Sequence, residues 1–125
     1  MKILLILTIL TFSTPAFSGW IQRADFGGVA RHRTPMITIG GQIYTGLGHY
    51  NGAGPNILWE DWWAYDPGTD AWTQKANYMG GPTYHSAAFT IGNIGYVGTG
   101  RVDIPSAQVV KRFYSYNPAT NTWTQ

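Results

Sequence analysis

Tyr65-Asp66-Pro67-Gly68-Thr69-Asp70-Ala71-Trp72 returns further along the chain as Tyr116-Asn117-Pro118-Ala119-Thr120-Asn121-Thr122-Trp123. Working outward, Thr38-Ile39-Gly40 and Gly46-Leu47-Gly48 precede the first copy. Thr90-Ile91-Gly92 and Gly98-Thr99-Gly100 precede the second. Thr38 and Thr90 are 52 residues apart, and Trp72 and Trp123 are 51 apart. A period near 50 built from short apolar runs and turn residues points to radially repeated sheet units, not to stacked helices.

Each unit divides into four short strands. In the first, Arg33 to Ile39, Gln42 to Leu47, Trp62 to Tyr65 and Ala71 to Lys75 read as strands a to d. Pro35 is tolerable only near the start of its strand. Gly40-Gly41 suits a tight hairpin because glycine reaches positive φ without steric cost. Asp66-Pro67-Gly68 suits the c-to-d turn: the Asp side chain can accept from a backbone N–H two residues on, and Pro presets φ. The stretch from Gly48 to Asp61 reads as a long exposed loop. In the second unit Ser86 to Ile91, Ile94 to Val97, Phe113 to Tyr116 and Thr122 to Gln125 repeat the plan. Trp20-Ile21-Gln22-Arg23 matches Trp72-Thr73-Gln74-Lys75, so about 19–24 is expected to be the outer, closing strand of a unit whose beginning is missing.

The glycine pair after an apolar strand, the tyrosine two residues before a proline, and the tryptophan seven residues after that tyrosine resemble kelch repeats. The likeness is to the bacterial secreted kind labelled galactose oxidase-like, and it covers residues 20 to 125. The resemblance implies an all-β, kelch-type β-propeller in which each repeat is one four-stranded blade, with blade 1 at about 33–75 and blade 2 at about 85–125. Gly40, Gly92, Tyr65, Tyr116, Trp72 and Trp123 are its structural repeat positions. Blades pack face to face, which accounts for runs such as Met36-Ile37-Thr38-Ile39 without clean alternation. Tyr65 and Trp72 are expected between blades, where replacing Trp72 by Ala should cost about 3 to 5 kcal/mol. The double glycine that often follows strand b in kelch repeats is here Gly46-Leu47-Gly48 and Gly98-Thr99-Gly100. Two blades are also fewer than the four to eight or so that close a propeller. The chain is therefore expected to be part of a longer propeller, the favoured reading, or to assemble in several copies into one ring.

Composition narrows the function classes. The 125 residues carry 8 Lys and Arg against 6 Asp and Glu, with no basic run, so there is no electrostatic case for nucleic acid. No cysteine is present, which removes disulfides, thiolate metal sites and thiol nucleophiles. Met1-Lys2, the apolar run Ile3 to Phe12 and the small-x-small site Ala16-Phe17-Ser18 have the layout of a secretory signal peptide over 1–18. The run is too short for a stable transmembrane span. Cleavage near Ser18/Gly19 and a secreted or periplasmic destination are expected.

No catalytic constellation stands out. His32, His49 and His85 lack ligand spacing and read as surface or loop histidines, so no metal and no cofactor is expected. Ser86, Ser106 and Ser115 lack the Gly-x-Ser-x-Gly setting, and Gly98-Thr99-Gly100 opens no helix that could cradle a phosphate. Galactose oxidase chemistry needs a cysteine cross-linked to tyrosine, so the resemblance carries over the fold and none of the oxidase residues. Trp62 and Trp63, on strand c, read as packing between blades. What remains is recognition by loops, with Arg31, His32, His49, Tyr50, Trp59 and Arg101 as candidate contacts for a glycan or protein ligand. The alternative is a fragment of an extracellular galactose oxidase-like or sugar-modifying enzyme whose catalytic residues lie outside this chain.

Overall fold

The computed structural model describes residues 19–52, 54–103 and 105–125, so the signal-peptide reading of 1–18 lies outside the described residues. Among them the chain is all-β. Strands β1 (Met36–Ile39), β2 (Gln42–Gly46), β3 (His49–Tyr50), β4 (Ile57–Leu58), β5 (Trp62–Asp66) and β6 (Ala71–Lys75) make the first unit. The second consists of β7 (Ala87–Ile91), β8 (Ile94–Gly98), β9 (Arg101–Val102), β10 (Gln108–Val109), β11 (Phe113–Asn117) and β12 (Thr122–Thr124). Each unit is one four-stranded antiparallel meander, β1-β2-β5-β6 and β7-β8-β11-β12. The register repeats as well: Ile43 pairs with Tyr65 and Tyr65 with Trp72, as Gly95 pairs with Tyr116 and Tyr116 with Trp123.

The turns form for the reasons their residues suggest. Gly40 and Gly41 both lie at positive φ, 57° and 81°, which a two-residue hairpin of the primed type demands. Asp66 Oδ1 accepts from the Gly68 N–H at 2.8 Å, and Asn117 Oδ1 from the Ala119 N–H at 3.0 Å. Strand β1 starts at Met36, later than the sequence suggests, because Pro35 has no N–H and Arg33 sits at φ 60°. The long b-to-c connections are not plain loops. Each carries a small hairpin, β3 with β4 and β9 with β10.

The expected closing strand at about 19–24 is not formed. Residues 19–26 carry no ladder, and Trp20 and Ile21 stand exposed. The sequence match to β6 is real, but a strand needs a neighbour to pair with, and none of the described strands borders this segment. What the segment does instead repeats faithfully. The Trp72 indole N–H donates to Ala24 O at 3.2 Å, as Trp123 donates to Ala76 O at 2.9 Å. Asp70 Oδ1 accepts from the Ala24 N–H at 3.0 Å, and Asn121 Oδ1 from the Ala76 N–H at 2.9 Å.

The two blades lean together along β1 and β7, where Thr90 Oγ1 donates to Thr38 O at 3.0 Å. Farther from this line the gap is filled by rings. Trp62 meets Trp123 edge-on at 5.5 Å between ring centroids, and Tyr78 meets Trp123 at 5.1 Å. With Ile37, Ile39, Tyr44, Leu47, Val97, Tyr114 and Tyr116 they form the core. Burial of one such ring contributes about 2 to 3 kcal/mol. It also pushes the Tyr78 and Tyr116 hydroxyls up to about 12. Trp62 is fully buried, as its place on strand c suggests, whereas Trp63 and Trp72 are half-buried on the other side of blade 1.

Candidate functional site

In a meander the two tight turns, a-to-b and c-to-d, fall at one end of the blade. The b-to-c connection and the crossover into the next blade fall at the other. Both hairpins β3–β4 and β9–β10, and the segments entering β1 and β7, therefore gather at one end of the molecule. The entering segments are stitched to the hairpins by isolated bridges, His32 with His49 and Tyr84 with Arg101. Glycines make this possible. A Cβ at Gly48 would stand 2.6 Å from His32 O, and one at Gly100 would stand 2.6 Å from Tyr84 O.

Here the chain assembles a continuous polar network. The His32 and His49 rings stack at 4.4 Å, and the His49 and Tyr84 rings at 4.1 Å. Arg33 Nη1 lies 3.0 Å from His49 Nε2, and His49 Nδ1 lies 2.8 Å from Asn56 Oδ1. Arginine only donates, so Nε2 accepts and the proton of neutral His49 sits on Nδ1, donated to Asn56. The Asn56 amide then donates to Asp103, which also accepts from the Tyr84 hydroxyl at 3.0 Å and from Arg101 Nε at 3.1 Å.

Ionisation follows from this arrangement. Burial lowers the His49 imidazole below its ordinary value; the hydrogen bond to Asn56 opposes this, the neighbouring His32 and Arg33 add to it, and the Asp103 carboxylate opposes it. Burial and the bond to Asp103 raise the Tyr84 hydroxyl. For Asp103, burial alone would raise the carboxyl, but the hydrogen bonds from Tyr84, Arg101 and Asn56 outweigh it and hold the group below the usual range. Both His49 nitrogens are engaged and Asp103 accepts from three donors, so these hydrogen bonds hold the side chains of the network to one another. The parts left exposed above it are His32, Arg33, Tyr50 and Arg101. Beside it, between the blades, lies a cleft of about 300 Å³ lined by Leu58, Gly80, Pro82, Val102, Asp103 and Arg112.

The candidate contacts therefore separate. His32, Tyr50 and Arg101 are exposed at this end. His49 is not a surface histidine, being 1% exposed, because the Tyr84 and His32 rings sandwich it. Arg31 is also withdrawn from solvent. Its side chain, 2% exposed, forms a two-pronged pair with Asp61, donates to Val29 O at 2.8 Å, and lies over the Trp59 ring at 4.4 Å. Trp63 Nε1 donates to the same carboxylate at 2.7 Å. Trp59, half-buried under Arg31, belongs to this structural cluster and is no open platform. Tyr84 and Asn56 escaped sequence reasoning, since a tyrosine and an asparagine in loops carry no spacing signal. Among the described residues no group of three or more His, Asp or Glu is placed to hold a metal ion. Nor is any helix there long and apolar enough to cross a membrane.

No family model matches the chain. Two curated relatives, the N-acetylneuraminate epimerases of Brucella suis and Brucella melitensis biotype 1, are each 34% identical over 59 residues, which is 45% of this chain and 15% of theirs. The solved structure of YjhT superposes with a TM-score of 0.63 at 25% identity, covering 77% of this chain and 27% of that one. The chain thus spans only a minor part of the length of the proteins it resembles.

Proposed function

Because this chain is a kelch-repeat protein built as blades of an all-β propeller, we propose that it is a secreted recognition module whose loop end binds a glycan without chemically changing it. The observation that carries the reading is the floor of Arg33, His49, Asn56, Tyr84 and Asp103, fixed by hydrogen bonds and presenting His32, Arg33, Tyr50 and Arg101 to solvent at one end. Sugars are recognised by donors and acceptors held in place with an aromatic face nearby, and guanidinium groups suit carboxylate-bearing sugars. The likeness to proteins named for N-acetylneuraminate, an acidic sugar, supports that choice of ligand. The test is a glycan array spanning neutral and acidic structures, probed with the wild type and with Arg101→Ala and Tyr50→Ala. Binding to acidic glycans that falls tenfold or more in Arg101→Ala is expected. An array with no hits at any density removes the glycan reading and leaves a protein ligand.

A second reading is favoured by the 34% identity to N-acetylneuraminate epimerase. In it the chain is part of a sugar-modifying enzyme, and the catalytic residues lie outside it. An NMR assay following the configuration of N-acetylneuraminate, run on a longer protein that carries these two blades, separates the two readings, and turnover there would replace the binding role.

A further inference from the structure

The hairpin β3–β4 leaves its ladder after Tyr50, and the next two residues, Asn51 and Gly52, are exposed. Asn51 is held from across the site. Its Oδ1 lies 2.9 Å from Nε2 of His32, on the segment entering β1. That oxygen only accepts, so Nε2 carries the proton and donates it. The His32 ring is itself fixed in place, stacked on the His49 ring at 4.4 Å and carried by the backbone bridge between these two residues.

Gly52 supplies the other half of the arrangement. A Cβ at residue 52 would run into the Tyr50 side chain, so the packing of Tyr50 keeps this position a glycine. Among the described residues the Gly52 N–H makes no backbone hydrogen bond. It sits next in the chain to the Asn51 side-chain amide, with no side chain of its own to shield it. An amide carbonyl, a neighbouring nitrogen free to reach it, and a donor already set on the oxygen where charge develops are the parts of an intramolecular acyl transfer.

We propose that Asn51 is a self-modification site, at which the Gly52 nitrogen displaces the Asn51 amide and a carboxylate is left facing His32. The Gly52 nitrogen forms a bond to Asn51 Cγ and gives up its proton. The Cγ–Nδ2 bond breaks and ammonia leaves with that proton, closing a cyclic imide. Water then opens either carbonyl of the imide, giving aspartate or isoaspartate at position 51. In sum one amide and one water become one carboxylate and one ammonium, and no other reactant is needed. The exposed groups of this end include His32, Arg33 and Arg101, so the new carboxylate lowers the positive charge offered to an acidic ligand. That consequence rests on the acidic-glycan reading above; the modification itself does not.

Peptide mapping by mass spectrometry of the folded protein, incubated at pH 7.5, tests this. Asn51 should convert at least about tenfold faster than Asn56 and Asn93, each followed by an isoleucine whose branched side chain crowds its N–H. His32→Phe keeps a ring on His49 without the N–H donor, and should slow the conversion about threefold or more. Asn51→Gln must close a larger ring and should stay intact. Near-UV circular dichroism checks that each variant is folded, and His32→Leu replaces His32→Phe if that variant is not. An Asn51 that converts no faster than Asn56 and Asn93 overturns the proposal, and an undiminished rate in His32→Phe overturns the part given to His32. On the glycan array, Asn51→Asp should bind acidic glycans about threefold or more weakly than the wild type. Equal binding overturns the charge effect, whereas an array blank for both forms removes the glycan reading and leaves the chemistry at Asn51 standing.

Discussion

The indole N–H of Trp123 donates to the carbonyl oxygen of Ala76 at 2.9 Å, tying the outer strand of blade 2 to the chain that leaves blade 1. Trp62, against the same ring at 5.5 Å, buries its own N–H with no hydrogen-bond partner. Two neighbouring tryptophans thus differ in what their nitrogen contributes. Trp123 is a tie between blades, and Trp62 is volume.

Replacing each by phenylalanine separates these roles. Trp62→Phe loses some packing but removes an unsatisfied buried donor, and the second blade already carries Phe113 at the corresponding position. Its cost should be about 1 kcal/mol. Trp123→Phe loses a similar volume and also leaves Ala76 O without its donor, for a cost of about 2 to 3 kcal/mol. Urea unfolding of both variants checks this, and equal costs would mean that the bond to Ala76 contributes nothing.

The Asp70 side chain holds the equivalent tie in blade 1, accepting from the Tyr65 hydroxyl at 2.6 Å and from the Ala24 N–H. The Tyr65 bond, then the Ala24 bond, hold its carboxyl below the ordinary value of 3.8. A folded-state value lowered in this way gives stability that is whole above pH 3.8 and is lost as pH falls through the lowered value. Asn121 performs the same task in blade 2 without a charge. Asp70→Asn should therefore fold normally at pH 7 and show a shallower loss of melting temperature between pH 4 and 2. An unchanged acid limb would show that the Asp70 bonds are not coupled to folding.

The repeated tie also explains how much was legible in the sequence. Tyr65, Asp70 and Trp72 are close along the chain and recur as Tyr116, Asn121 and Trp123, so local turn chemistry and period together give the strands to within a few residues. The site is different in kind. Arg31 meets Asp61 across 30 residues, and Asn56 meets Asp103 across 47, in segments whose sequences do not repeat. Arg31 and His49 looked like ligand contacts because charged or titratable loop residues are usually exposed. Arg31 is enclosed by Asp61 and Trp59 and His49 by the rings of His32 and Tyr84, partners that lie far away in the sequence. Residues 19–24 match β6 in sequence yet carry no ladder among the described residues, since a local match does not itself supply a pairing partner.

Removing one partner of the Arg31–Asp61 pair should be far more damaging than removing both. Asp61→Ala leaves a guanidinium with a 2% exposed side chain without its carboxylate and also unpairs Trp63 Nε1. A loss of about 3 to 5 kcal/mol is expected. Arg31→Met together with Asp61→Leu keeps the volume, removes both charges, and should cost less than the single substitution. Urea titrations of the single and double variants decide. A double variant as unstable as Asp61→Ala would mean that the charges themselves, and not their pairing, hold the segment entering β1.

His49 gives the loop end its own pH dependence. Its lowered imidazole value means that the folded state resists a proton which the unfolded chain accepts near the ordinary value of 6.5. Stability is therefore full above pH 6.5 and falls as pH drops from there to the lowered folded value, by at most one proton's worth of slope. That loss begins at pH 6.5, above the onset at 3.8 of the acid limb expected from Asp70 and Asp103, so the onsets of the two effects can be read apart. Protonation would also place a proton on Nε2, against the donor of Arg33 at 3.0 Å, which breaks the line Arg33–His49–Asn56 at its centre. Nitrogen-15 NMR at pH 7.5 should show neutral His49 with the proton on Nδ1. Melting temperatures between pH 7.5 and 5 should fall for the wild type and stay flatter for His49→Gln. A protonated His49 at pH 7.5, or the Nε2–H tautomer, would reverse the direction of donation assigned through the network and take the pH dependence with it.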